Sequence, residues 1–394
     1  MREKLTIIVT GYAATYPLGG ATWDYLQYVL GFKRLGHRVY YLEDTGKWLW
    51  DITNKTFTAD ARANVAYLAK WLTALDPELA HNWAFRDVYD QYYGMSQAEV
   101  VQLCRETDLF INYSGSCMLR EEYMTCRTKI YLDTDPLYNQ AGEVNYLRGT
   151  ADDETRLAVD YILQHDRFFS FAENIGKPQC TIPTALFSWQ PTRQPIVLDY
   201  WEKPCTPVRN VYTTVMSWQS KEGTMTIDGV VYGGKHAEFE KIINLPRRTP
   251  QALELAIGGG LPPLDLLSQY GWHVVDGLIV SADPWKYREY IRASKAEFSI
   301  AKQAYVATRS GWFSCRSACY LAAGKPVVVQ DTGFSECLAT GKGIMAFSTA
   351  EEALEAITRV NRDYPLHAVA ATRLAREYFD AASVLRAFLQ TALA

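Results

Sequence analysis

The feature that most constrains this chain is a regular alternation of short apolar, β-branched strands with helical stretches. Strand patterns at Leu5–Val9, Arg38–Leu42, Leu109–Asn112, Lys129–Leu132 and Phe168–Phe171 are interleaved with helical patterns at Gly20–Leu35, 96–106 and 152–164. Continuous apolar strands with helices between them mark a parallel sheet covered on both faces. Four of these strands run into polar or glycine-containing turns: Gly11–Gly20, Ser114-Gly115-Ser116, Asp133-Thr134-Asp135-Pro136 and Glu173-Asn174-Ile175-Gly176. Ligands of open parallel sheets bind outside the carboxyl ends of the strands, so these turns are expected to line one cleft.

The pattern breaks once. Pro191, Pro195, Pro204 and Pro207 crowd a stretch without helical periodicity, which reads as a linker. Alternation resumes at Val211–Met216, His273–Val275, Phe298–Ala301 and Pro326–Val329, and Ala381–Leu393 closes the chain as an amphipathic helix. The expected organisation is α/β: a Rossmann-like domain over 1–205, a second over 206–375, and a terminal helix over 376–394 packing back on the first, with a ligand cleft between the domains. Between Trp48 and Tyr93 aromatics are dense, and the region reads either as an acceptor-side cap that stacks on sugar or base rings or as a helical insertion with its own small core. The insertion is the expectation carried forward, because most aromatics are packing residues.

Composition excludes several classes. Of 394 residues, 48% are hydrophobic and 21% charged, which is incompatible with a disordered chain. The formal charge of −4 argues against a general binder of phosphate backbones. No apolar run reaches the length of a membrane span. The apolar run after Arg2 and Lys4 stops at Val9, too short for a secretory leader, so a cytosolic protein is expected. The eight cysteines are scattered and form no disulfide framework, and Cys315 and Cys319 have no second ligand pair nearby for zinc.

One segment stands out chemically. Arg309-Ser310-Gly311-Trp312-Phe313-Ser314-Cys315-Arg316-Ser317 reads as a loop entering a helix, and Gly324-Lys325-Pro326-Val327-Val328-Val329-Gln330-Asp331-Thr332-Gly333 as a helix stop, a buried strand and a polar turn. Gly311 allows a close backbone approach to a ligand, and the free N–H groups of the first helical turn suit a phosphate. Arg309 and Arg316 add guanidinium forks that match phosphate oxygens. A capped surface helix with solvated arginines would look the same in isolation.

In context, the segment resembles the donor-binding half of GT-B glycosyltransferases. Gly311-Trp312-Phe313-Ser314 is similar to that family's Gly-Trp-Asn-Ser core, and Gly324-Lys325-Pro326-Val327-Val328 with Asp331-Thr332-Gly333-Phe334 to its Gly-x-Pro-Val-Val-x-x-Asp-x-Gly-Gly stretch. Pro17-Leu18-Gly19-Gly20 and Leu35-Gly36-His37-Arg38-Val39 resemble its opening motif. The chain also resembles a bacterial subgroup carrying Arg-Ser-Gly-Trp-Phe-Ser and Gln-Asp-Thr-Gly-Phe. It departs from the pattern in two places. Arg309 replaces the usual histidine, and the paired glutamates of many retaining members are missing, so a retaining mechanism is not carried over.

The resemblance implies transfer of a sugar from a nucleotide sugar, with a UDP-sugar favoured, to an acceptor hydroxyl, without metal or resident cofactor. It implies that the 311–314 backbone, Ser310, Trp312, Phe313, Ser314, Arg309, Arg316 and Lys302 surround the diphosphate, with Gly19 and Gly20 closing from the first domain. The nucleobase is expected near Asp276, and the sugar hydroxyls at Gln330, Asp331 and Thr332. Glu336 lies near a ribose-binding position. An inverting enzyme also needs a base. Candidates at strand ends are Asp135, favoured because Pro136 holds it out of helical conformation, then Asp24, Asp133 and Glu173. The acceptor is expected to be a small molecule or glycan; a hydroxymethylated DNA base is disfavoured, Arg247-Arg248 being the one conspicuous basic pair. A sugar-nucleotide epimerase of the same fold and a non-catalytic nucleotide-sugar binder remain alternatives.

Overall fold

The computed structural model describes residues 4–202, 208–218, 225–227 and 229–394. The expected domain boundary at 205/206, the linker residues Pro204 and Pro207, and Cys205 and Arg2 lie outside the described residues.

The strands are β1 (Thr6–Thr10), β2 (Arg38–Glu43), β3 (Leu49–Asp51), β4 (Thr56–Thr58), β5 (Trp83–Arg86), β6 (Tyr92–Gly94), β7 (Leu109–Tyr113), β8 (Thr128–Asp133), β9 (Arg167–Ser170) and β10 (Trp189–Pro191), then β11 (Val211–Ser217), β12 (Met225–Ile227), β13 (Val230–Tyr232), β14 (Ala252–Gly259), β15 (His273–Asp276), β16 (Ala296–Ser299), β17 (Val327–Gln330) and β18 (Ile344–Phe347). The first sheet has the order β10-β9-β8-β7-β1-β2-β5-β6, and the second β15-β14-β11-β16-β17-β18. Every pairing in them is parallel except β5 with β6. The central strands are buried along their length, as in β1, β7 and β17, because helices cover both faces.

Each sheet reverses its winding beside its first strand: β1 has β2 on one side and β7 on the other, and β11 has β14 and β16. Such switch points leave a crevice at the strand ends. The helix Gly19–Arg34 starts at the first crevice. Its last turn carries Lys33 and Arg34, which complement the negative end of the helix dipole. It is buried on most of its circumference, since Gly31 lies against Leu385 and Ala381 of the terminal helix Ala381–Ala392 while Trp23 reaches Pro284 of the second half. Phe388 of that terminal helix packs on Tyr28, Phe32 and Phe169.

The aromatic region 48–93 departs from expectation. It forms the β3–β4 hairpin, the helix Arg62–Leu75 and two strands of the main sheet, and Trp83, Phe85, Leu68 and Leu72 belong to the same core as Ile7 and Val9. The region adds an edge to the sheet and has no separate core. β14 is a strand that the sequence pattern does not announce, because it ends inside the triple glycine Gly258-Gly259-Gly260, whose first two residues belong to it.

Candidate active site

A cleft of about 450 Å³ opens between the two sheets. Its first wall is the start of helix Gly19–Arg34, with Leu18, Gly20, Ala21 and Asp24, together with Asp135 beyond β8. Its second wall is the end of β11 (Val215, Met216, Ser217, Trp218), Lys235, Gly258 and Gly277-Leu278. The floor is Lys302, Tyr305, Trp312, Ser314, Cys315 and Arg316.

Three cations converge here. Lys302 Nζ donates to Asp135 Oδ1 at 2.5 Å and lies over the rings of Tyr138 and Tyr305. Arg316 is tied down on all sides: Nε donates to Glu297 at 2.7 Å, Nη1 to the Val215 carbonyl at 2.9 Å and Nη2 to Ser299 Oγ at 2.6 Å. Lys235, which sequence reasoning missed, opens a short helix after Gly233-Gly234. Removal from water, with Arg316 and Lys302 nearby, lowers its ammonium to about 7. The glycine pair immediately before a lysine was the available signal. The helix Cys315–Ala322 begins in the same place. Its first-turn N–H groups have no carbonyl within the helix to bond, and Ser314, Cys315 and Arg316 carry that turn into the cleft.

The four candidate bases separate by environment. Asp24 lines the cleft and accepts from Tyr113 Oη at 2.9 Å. Burial raises its carboxyl to about 6, against the lowering effect of the Tyr113 hydroxyl and the Cys315 thiol. Asp135, the first choice from sequence, also lines the cleft, but Lys302 and the Tyr305 hydroxyl both donate to it, which makes it the counter-ion of Lys302. Asp133 is buried behind the strand end and accepts from Asn139, Gln140 and Ser170 at 2.8, 3.0 and 2.8 Å; burial raises it to about 6 without exposing it to the cleft. Glu173 is paired with Arg193 and faces a different cavity.

The donor motif also divides. Trp312 packs against Tyr305 with its ring tilted and donates Nε1–H to the Thr134 carbonyl at 3.1 Å, and Trp312, Ser314 and Arg316 reach the cleft. Gly311, at φ 78°, makes its close approach to the first half of the protein: a Cβ would fall 2.8 Å from Asn174 N. Asn174 N donates to the Ser310 carbonyl at 3.0 Å, and its side-chain amide to the Arg309 and Gly333 carbonyls at 3.1 and 2.9 Å. Ser310 Oγ accepts from Trp312 N, and Phe313 is core, stacked on Phe379. Arg309 is paired with Glu336, which also receives the Gln179 amide. Asp331 caps its own turn through Gly333 N and Ser335, Gln330 braces Glu238 and Ala301 N, and Thr332 donates to the Trp312 carbonyl. None of these last five, nor Ser310, Gly311 or Phe313, lines the cleft.

Gly19 and Gly20 also meet protein. Gly19 N donates to the Ser281 carbonyl at 2.6 Å and Gly20 N to Ser281 Oγ at 3.1 Å, and a side chain on Gly19 would collide with Asp283. The helix start is thus capped by the opposite half. Asp276 caps the turn Gly277–Val280 by accepting from Leu278 N at 2.8 Å, and Lys55 on the β3–β4 hairpin reaches it across the cleft at 3.4 Å. Among the described residues, no group of three or more His, Cys, Asp or Glu side chains is arranged to hold a metal, and no helix is long and apolar enough to cross a membrane.

No protein-family profile and no curated protein sequence matches the chain. Its backbone is similar to that of solved glycosyltransferases. One is Anabaena Alr3699/HepE, solved with UDP and glucose, at 13% identity over 98% of this chain and 99% of that one, with a TM-score of 0.55. Another is sucrose-phosphate synthase (tll1590) from Thermosynechococcus elongatus, at 12% identity over 99% and 98%, with a TM-score of 0.51. The fold is GT-B. At such identity the likeness establishes architecture: two sheets, parallel but for the β5–β6 edge, each with its switch point at a shared cleft.

Proposed function

We propose that this GT-B protein transfers a sugar from a nucleotide sugar, a UDP-sugar foremost, to an acceptor hydroxyl. The observation that carries this reading is the convergence of Lys235, Lys302 and the amide end of helix Cys315–Ala322 on one side of the cleft, with the Asp24 carboxyl on the other. The cationic side suits a diphosphate whose charge grows as it departs. The solved complexes of Alr3699/HepE with UDP and with UDP-glucose support the choice of nucleotide.

In this reading Lys235 and Lys302 hold the diphosphate oxygens together with the N–H groups of residues 315 and 316. Asp135 aims Lys302, and Arg316 anchors the floor through Glu297 rather than meeting the ligand. Gly258, Gly277 and Leu278 form the wall against which the nucleobase lies. Asp24 replaces Asp135 as the base: with a carboxyl near 6 it is ionised at neutral pH and still basic enough to take the acceptor's proton as the new C–O bond forms. The acceptor, a small molecule or glycan, approaches from the β1 and β7 ends.

A thermal-shift panel of UDP, GDP, ADP, CMP and dTDP on wild type and Lys235→Ala tests this. Selective stabilisation by UDP that is weakened in the variant is expected. No shift with any nucleotide at millimolar concentration would overturn the reading, and conversion of a UDP-sugar without acceptor, followed by NMR, would replace transfer by epimerisation.

A further inference from the structure

A second cavity, of about 590 Å³, lies away from the cleft, where the end of the first sheet meets the terminal helix and the turn after β17. Cys337 and Lys177 face each other across it, one from each half of the protein. Lys177 Nζ donates to Cys337 Sγ at 3.1 Å and to Asn174 Oδ1 at 3.0 Å. The thiol in turn lies 3.2 Å from Asn174 Oδ1 and 4.0 Å from the Glu173 carbonyl oxygen. Thiols elsewhere in the described chain have other surroundings. Cys104, Cys117, Cys126 and Cys319 are buried, burial and Asp24 push Cys315 well above the ordinary thiol range, and Cys180, part-exposed like Cys337, is pushed up by burial and has no hydrogen bond from the Lys177 amine. Cys337 is part-exposed and has an amine in contact.

Both reactants of an oxidative bond are therefore in place. A thiolate attacks hydrogen peroxide to give a sulfenic acid, and a sulfenic acid condenses with a nearby nitrogen. We propose that Lys177 and Cys337 are a redox-controlled cross-link, closed by hydrogen peroxide as a sulfenamide. In the first step the Cys337 thiol is oxidised to the sulfenic acid and peroxide is reduced to water. In the second, the deprotonated Lys177 amine attacks the sulfur, an S–N bond forms, the S–O bond breaks and the oxygen leaves as a second water. The chain loses two hydrogens in total, and two equivalents of an external thiol return the amine and the cysteine.

The bond makes covalent a seam that hydrogen bonds already hold. Asn174 bonds the carbonyls of Ser310, Arg309 and Gly333 next to it, so closure needs no rearrangement of the two halves. It ties them together 160 residues apart in sequence.

The test treats the full chain with hydrogen peroxide, blocks remaining thiols, and maps peptides by mass alongside Lys177→Arg and Cys337→Ser. In wild type, a linked peptide pair two hydrogens lighter than its parts is expected, with faster migration on a non-reducing denaturing gel; dithiothreitol reverses both. Lys177→Arg keeps the charge and is expected to yield oxidised Cys337 without a linked pair. A wild-type map indistinguishable from that of Lys177→Arg would overturn the proposal. So would a mobility shift that persists in Cys337→Ser. Neither readout depends on the activity proposed above.

Discussion

The two polar turns of the second half make an instructive pair. The stretch 312–316 and the stretch 330–336 follow neighbouring strands of one sheet, and both read in the sequence as ligand-binding. The first opens on the cleft through Trp312, Ser314 and Arg316. The second is consumed by protein: Asp331 by its own turn, Glu336 by Arg309 and Gln179, and the Gly333 carbonyl by Asn174. A polar strand-end turn is thus a place where ligands can bind, and whether one does is decided by what the facing half brings to it.

Within the cleft the comparison is sharpest at Asp24. Asp24→Asn keeps shape and the Tyr113 contact but removes the base, and a loss of turnover of about 10²–10⁴-fold is expected in a transfer assay. The same variant is expected to be more stable at neutral pH. A carboxyl raised from 3.8 to about 6 binds more protons folded than unfolded between those values, so stability falls as pH rises through that window and the cost persists above it. Removing the charge recovers on the order of 3 kcal/mol, read as a higher midpoint in urea. Asp135→Asn is expected to weaken donor binding through Lys302 with a smaller loss of turnover.

Arg316→Ala separates a wall residue from a ligand residue. Glu297 is fully buried, and removing its partner leaves a carboxylate uncompensated, so a loss of about 3–5 kcal/mol of folding stability is expected in denaturant titration. Unchanged stability together with lost nucleotide binding would move Arg316 into the ligand-contact set.

Lys235 gives a pH signature. With its ammonium lowered to about 7 in the free protein, nucleotide binding must restore a proton as pH rises. Affinity for UDP is expected to fall about tenfold per unit above pH 7. Lys235→Arg, charged at every working pH, is expected to flatten that profile, and Lys235→Ala to lose about 10–100-fold in affinity. Titration calorimetry from pH 7 to pH 9 measures all three.

Much of this was legible in the sequence, for identifiable reasons. Strands and the first and last helices are local patterns, and the central strands are apolar runs that nothing else explains. The cleft floor was legible through Trp312, Ser314, Arg316 and Lys302. Lys235 was not, because a lysine after two glycines has meaning only once β11 and β16 bring it beside Arg316. Asp135 ranked above Asp24 in the sequence because Pro136 follows it; Lys302 and Tyr305, more than a hundred residues away, both donate to Asp135, which is why Asp24 is the base proposed here. Gly311 was expected to let the backbone approach a ligand, whereas the approaching group is Asn174, which a single sequence gives no means of pairing with it.

The smallest expected effect closes the comparison of the two turns. Glu336→Gln removes the ion pair with Arg309, whose side chain is 49% exposed, while that of Glu336 is 35% exposed. Exposed pairs contribute about 0–1 kcal/mol, so a change within that range is expected in denaturant titration. Nucleotide affinity is expected to stay unchanged, because Glu336 faces the second cavity and not the cleft. A several-fold loss of UDP affinity in this variant would mean that the halves move enough on binding to bring the 330–336 turn against the ligand, and the division between the two turns would then belong to one conformation of the protein rather than to its chemistry.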